Sequence, residues 1–251
     1  MSEAVEKQDD RRWWAKALFV GAVVGLVALP IGALGSRFGL WSFMGGFALL
    51  GVGVVLATIA FFLGVIGAVY ANSKGLSADR KSCLYAVAIG VMILGLMGNQ
   101  FMMASGVPPI HNISTDTLDP PQFDQIVAIR EAEGANPLAY DAMQLAEQQH
   151  AAYPHIKPLV SGVSPGEMFA RAVPGLESLG LEVVFADKSR GRIEATDTTF
   201  WFGFKDDVAI RIRAEGAGSV VDIRSVSRVG QSDLGKNAER IGQILDVLGP
   251  G

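Results

Sequence analysis

The chain has 251 residues, 21 Lys+Arg against 25 Asp+Glu, and a formal net charge of −4. Its mean hydropathy of +0.33 is high for a soluble protein, and the apolar residues concentrate in the first 104 positions. Residues 1–104 carry 8 basic and 5 acidic side chains, and residues 105–251 carry 13 and 20. The C-terminal part is therefore at −7, which argues against nucleic acid as a partner, since that would need a basic patch.

Three uncharged apolar runs open the chain: about Ala17 to Gly35, Phe38 to Ala71 and Cys83 to Ala104. About 20 apolar residues suffice for a helix to cross a bilayer, so each run predicts a span. The second is long enough to need tilt or an interfacial end. Trp13, Trp14, Trp41, Tyr70 and Tyr85 fall near the run ends, where amphipathic rings prefer the headgroup level. The first run is read as a retained helix rather than a signal peptide, because its apolar core is too long for one. Small residues recur through the spans, from Gly21 and Gly25 to Gly95 and Gly98. They point to close helix packing, within the chain or onto other membrane subunits. The second and third spans lack ionisable groups, which argues against an ion or proton path.

Basic residues set the expected orientation. Lys7, Arg11, Arg12 and Lys16 precede the first span, and Lys74, Arg80 and Lys81 fill the second loop. Only Arg37 lies in the first loop, and no Lys or Arg follows the third span until Arg130. The positive-inside bias puts the N-terminus in the cytoplasm and everything past about residue 105 outside it. The expected location is a bacterial inner membrane with a periplasmic C-terminal domain, or a topologically equivalent space. The single cysteine, Cys83, leaves that domain to fold without disulfides.

The expected division is a three-helix region at 1–104, a Pro-rich extended linker at 105–125 and an α+β domain at 126–251. Pro108, Pro109, Pro120 and Pro121 forbid a regular helix in the linker, which either stands off from the membrane or wraps the domain. A weak helical pattern surrounds Tyr140 to His150. His150 and His155 are five apart with a proline between them, the wrong spacing for a helical metal pair; no metal or cofactor is expected. Gly162-Val-Ser-Pro-Gly166 has the letters of a nucleophile elbow without its strand–turn–helix context. A capping box fits better: Ser164 as N-cap, Pro165 at the first position, Glu167 closing it. The helix that follows turns Phe169, Ala172, Val173, Leu176 and Leu179 to one face.

Four alternating strands come next, near 181–186, 192–199, 207–213 and 219–228, joined by short turns. They predict an antiparallel meander packed by helices. Val208, Ile210, Ile212, Val221 and Ile223 share one face. Arg192, Glu194, Arg211, Arg213, Asp222 and Arg224 share the other. That charged face reads either as cross-strand ion pairs on a solvated surface, each worth little, or as a polar docking surface. Phe200, Trp201, Phe202 and Phe204 form the main aromatic cluster, either core filling or an exposed grip for the bilayer interface or an apolar partner.

The stretch Ser225-Val-Ser-Arg-Val-Gly-Gln-Ser-Asp-Leu-Gly-Lys-Asn-Ala-Glu-Arg-Ile241 finishes the last strand, turns at Gly230 and enters a helix capped by Ser232 or Asp233. Leu234, Ala238, Ile241, Leu245 and Leu248 fall on one helical face. Arg228 and Arg240 either clamp an anion by the helix N-terminus, or serve structure, with Arg240 tying the helix to Asp222 or Glu194. The candidate surface residues are Arg211, Arg213, Arg224, Arg228, Asn237 and Arg240.

From Asp222 to Ile241, and at Ile113-Ser-Thr-Asp116, Asp119-Pro-Pro121, Arg192-Ile-Glu-Ala-Thr196 and Phe202-Gly-Phe-Lys-Asp-Asp207, the chain resembles domain-of-unknown-function family fourteen-ninety-nine. The resemblance runs from about Pro108 to Leu248. It implies a bacterial envelope or plastid-related setting and supplies no reaction and no catalytic residues. The function expected is a membrane-anchored binding module without catalysis, an accessory subunit with a membrane or periplasmic protein as partner. The alternatives are a carrier of lipid or another apolar ligand, with a cavity lined by Phe200, Phe202 and Phe204 under the Ser164–Leu179 helix, and last a hydrolase.

Overall fold

The structure, a computed structural model, describes residues 11–249. It comprises two compact units, one helical and one built on a sheet.

The helical unit holds α1 (Trp13–Arg37), α2 (Phe43–Ser73) and α3 (Ser77–Ser105). Their lengths of 25, 31 and 29 residues correspond to about 38, 46 and 44 Å at the helical rise, more than the roughly 30 Å hydrocarbon core. Their most apolar stretches reach mean hydropathies of 2.4, 2.7 and 1.8. Glycines set the α1–α2 distance. A Cβ on Gly32 would come within 2.8 Å of the Gly46 carbonyl, and one on Gly53 within 2.8 Å of the Gly25 carbonyl. Gly90 of α3 packs as closely on the Ala57 carbonyl of α2. Backbones can approach this way only where no side chain intervenes. Buried Asp79 of α3 accepts the Arg12 N–H at 2.8 Å, so one helix caps the start of another.

The sheet unit takes in residues 103–200 and 204–249. Its open sheet runs β1-β6-β5-β4-β3, with β2 also on β6, and every pairing is antiparallel. The meander is β3 (Glu182–Asp187), β4 (Arg192–Thr198), β5 (Lys205–Glu215) and β6 (Gly218–Ser227). Gly191, at φ +61, makes the β3–β4 turn possible: a Cβ there would lie 2.2 Å from the Ile212 carbonyl.

Two short strands line up along the free edge of β6: β1 (Asn112–Ser114) and β2 (Leu159–Ser161). Of the two expectations for the extended segment 105–125, the one that it wraps the domain holds from Ile110 onward. The prolines keep the segment extended, and it is part of the domain, with Ile110 and Ile113 in the core. Buried Gln149 of α5 (Ala142–Ala152) mimics a further strand. It donates to the Ser114 carbonyl at 2.7 Å and accepts the Ser114 N–H at 3.0 Å.

One sheet face carries the main core. The expected inward residues Val208, Ile210, Ile212, Val221 and Ile223 are all buried there. Helix α6 (Pro165–Ser178) lays Met168, Phe169, Ala172 and Leu176 on them, and α7 (Lys236–Leu248) adds Ala238, Ile241, Ile244 and Leu248. Leu234 does not join this face. It precedes α7, is about half exposed and sits in the left-handed region at φ 56, an uncommon conformation for a branched side chain. Gly235 is the N-cap position, and Asp233 reaches forward to accept the Asn237 N–H at 2.6 Å.

Candidate functional site

The face opposite the main core is where the charged ladder lies, and it is covered rather than solvated. Glu194, Asp207, Asp222, Arg224 and Arg228 are all at most 5 % exposed. The cover is α4 (Gln125–Glu133) with residues 115–124 and 136–140. A small apolar cluster of Phe123, Ile126, Ala209 and Val226 holds it down. Glu194 of β4 fastens it by accepting the N–H groups of Asp124 and Ile126, the latter at 2.9 Å. The N-terminus of α4 is thus capped from the sheet. A carboxylate there satisfies orphan donors and complements the helix dipole.

At one end of this face Asp207 is wholly buried and takes four donors. Arg228 forks onto it at 2.9 and 2.7 Å, Arg130 of α4 donates at 2.6 Å, and the Thr196 hydroxyl at 2.8 Å. The remaining Arg228 nitrogen reaches Glu133 at 2.8 Å, so two guanidinium groups meet two carboxylates. Desolvation alone would raise the Glu133 carboxyl; the bond and charge of Arg228, with Lys205, outweigh it and hold its pKa below the ordinary value. Desolvation likewise works to lower the Arg228 pKa, and its bonds to Asp207 and Glu133 outweigh it and raise it.

Arg224, in the middle, is 1 % exposed and is held by neutral groups. Its guanidinium donates to Asn112 Oδ1 at 3.0 Å and to the carbonyls of Pro121 and Leu138. The rings of Phe123 and Tyr140 lie 5.5 and 5.6 Å away, both within cation–π range. Desolvation lowers its pKa to about 10, which leaves it charged at neutral pH. Desolvation raises Tyr140 to about 12.

At the other end Asp222 Oδ2 accepts from Arg211 at 3.0 Å and from Arg213 at 3.0 and 2.8 Å, while its Oδ1 is buried without a partner. Arg211 also binds Asp119 at 2.6 Å and Asp116 at 3.1 Å. Asp116 sits in a tight turn, where its other oxygen takes the N–H groups of Leu118 and Asp119.

Asn237 and Arg240 belong to the main-core face instead. Arg240 bonds Asp197 at 2.6 Å, Asp206 at 2.7 Å and Asn237 at 2.7 Å. Its expected partners, Asp222 and Glu194, lie on the opposite face, because strand side chains alternate. Asp197 and Asp206 are paired in register, and Arg240 relieves the repulsion that like charges across a pair create. Their charges and bonds outweigh desolvation and raise the Arg240 pKa. Asn237 is fully buried between the Ser225 and Ser227 hydroxyls and the His111 carbonyl.

The six candidate side chains therefore make no single surface. Arg224, Arg228, Asn237 and Arg240 are interior ties, and Arg211, 15 % exposed, and Arg213, 50 %, reach solvent. Of the aromatic cluster, Phe200 and Trp201 are exposed on the β4–β5 loop at 67 and 54 %, and Phe202 and Phe204 are half-buried. Ser164 is the N-cap of α6: its hydroxyl accepts the Glu167 N–H and donates to the Glu167 carboxylate at 2.9 Å. The Nε2 of His150 lies 3.3 Å from the Thr117 hydroxyl. Arg130, Asp207 and Glu194 were not singled out by sequence reasoning as a linked set. The available signal was the place of Asp207 and Glu194 on strands of the charged face; Arg130 comes from α4, which was not foreseen.

Residues 112–248 match the family model described as Protein of unknown function (DUF1499). No curated protein matches the chain.

Proposed function

Since the chain belongs to the DUF1499 family, described as one of unknown function, we propose that it is a membrane-anchored interaction module: three helices hold it in a bacterial inner membrane, and the sheet domain, on the extracytoplasmic side, binds a membrane or periplasmic protein as an accessory subunit. The basic residues support that orientation. Arg11, Arg12, Lys16, Lys74, Arg80 and Lys81 flank one end of the helices and Arg37 the other; Lys7 lies outside the described residues.

The observation that supports the binding role is the exposure of Phe200 and Trp201, at 67 and 54 %, on one loop. Exposed aromatics are the side chains that interfaces favour. The carrier alternative has less support: Met168, Phe169 and Leu176 pack the space beneath α6, and Phe200 and Trp201 are outside that core. The test is mild detergent extraction from the native membrane. A specific protein should copurify with the full chain and be lost with the double variant Phe200→Ser/Trp201→Ser. A partner retained by that variant, or a chain recovered alone, would refute the reading.

A further inference from the structure

The α1–α2 pair is tight at one end and open at the other. Gly25 of α1 packs on the Gly53 carbonyl, but one turn earlier a Cβ on Gly21 would meet nothing within 4 Å. Between the first half of α1 and the second half of α2 lies a groove of about 550 Å³, almost wholly apolar, bounded by Trp13, Trp14, Gly21, Leu63, Gly67 and Tyr70. Along α1 its lining runs from Trp13 to Gly21, about 13 Å of helix, close to the depth of one leaflet of a roughly 30 Å core. A second transmembrane helix would need a seam along the whole span.

The mouth has the chemistry of a headgroup site. Trp14 and Tyr70 meet edge to face at 6.1 Å, and Trp13 is 80 % exposed; such rings settle at the membrane–water interface. Basic residues surround them. Arg12 and Lys16 stand on the first turns of α1, and exposed Lys74 closes α2 one turn beyond Tyr70. Among the described residues, Asp79 at the start of α3 is buried and engaged by Arg12. Juxtamembrane Lys and Arg attract anionic lipid.

We propose that this groove is a binding site for one anionic phospholipid, with an acyl chain lying against Gly21, Ile59 and Leu63 and the phosphate held at Lys74. The test is native mass spectrometry of the full chain from micelles holding equal amounts of phosphatidylglycerol and phosphatidylcholine. One phosphatidylglycerol should stay bound per chain, in excess over phosphatidylcholine. Lys74→Gln should cut that excess by about fivefold, the effect of one juxtamembrane charge.

Gly21→Leu places a side chain in the groove from a position whose Cβ meets no atom within 4 Å, and should abolish retention at unchanged helicity. Ala17→Phe, on the same wall, provides a second block should the first variant misfold. Equal retention of both lipids, no retained lipid, or full retention in both groove variants would overturn the proposal. So would a wild-type dimer that either variant converts to monomer, because a second helix would then be the occupant.

Discussion

Asp207 concentrates the domain's polar chemistry in one side chain. Two arginines and a threonine spend their donors on it at 0 % exposure. Removing one partner of a buried ion pair leaves the others desolvated and uncompensated, a loss of about 3–5 kcal/mol. Asp207→Asn keeps the shape and one acceptor oxygen, so it should fall in that range, read from thermal unfolding of the full chain in micelles. Arg224 tests geometry rather than charge. Lysine keeps the charge but not the planar fork that reaches three separate oxygens and lies within cation–π range of two rings, so Arg224→Lys should cost about 2 kcal/mol by the same measurement.

Acid should act through different residues. Bonds from Ser189 and Arg190 hold Asp187 at about 2, and Glu133 also lies below its ordinary value. A carboxyl whose pKa is lower folded than unfolded adds stability above the unfolded value and loses it as pH falls through the folded one. The midpoint of unfolding should therefore drop as pH goes from about 4 to 2, and Asp187→Asn should flatten that slope.

Among the elements, α4 shows how far a helix can depend on tertiary contacts. Only Ile126 and Arg130 of its nine residues are buried, short of the apolar stripe that makes a helix legible from its sequence. Its N-cap residue, Asp124, makes no side-chain cap bond; Glu194, some seventy positions away, supplies the acceptors. Glu194→Ala should destabilise the domain by about 1–2 kcal/mol. Amide exchange should quicken in α4 while β5 and β6 keep their protection, and uniform quickening would show that the cap holds the whole sheet. The strands β1 and β2 escaped the sequence reading for a related reason. Three residues are too few to show alternation, and the Pro-rich context of β1 spoke for a linker. The meander was legible because β3 to β6 are longer and their turns are marked by Gly191 and Gly216.

For the molecule as a whole, the orientation proposal has a direct check. Leu118 is 92 % exposed in the sheet unit, and Cys83, the one natural cysteine, is buried. Leu118→Cys should be labelled by a membrane-impermeant maleimide in intact spheroplasts. Labelling only after lysis would put the domain in the cytoplasm and end the periplasmic reading.

The amino-acid sequence determined by itself whatever depends on neighbours in the chain. Long uncharged runs must form membrane-length helices, since their backbone groups have no other partner in lipid, and period-two alternation must turn Val208, Ile210 and Ile212 to one side. Only the tertiary structure decided which face meets water. The charged face is interior because α4 and the segments around 115–124 and 136–140 fold over it, bringing Arg130 to Asp207 across 77 positions and Asn112 to Arg224 across 112. No local pattern encodes those pairings. They form because desolvating each charge is tolerable only when its distant partners arrive with it.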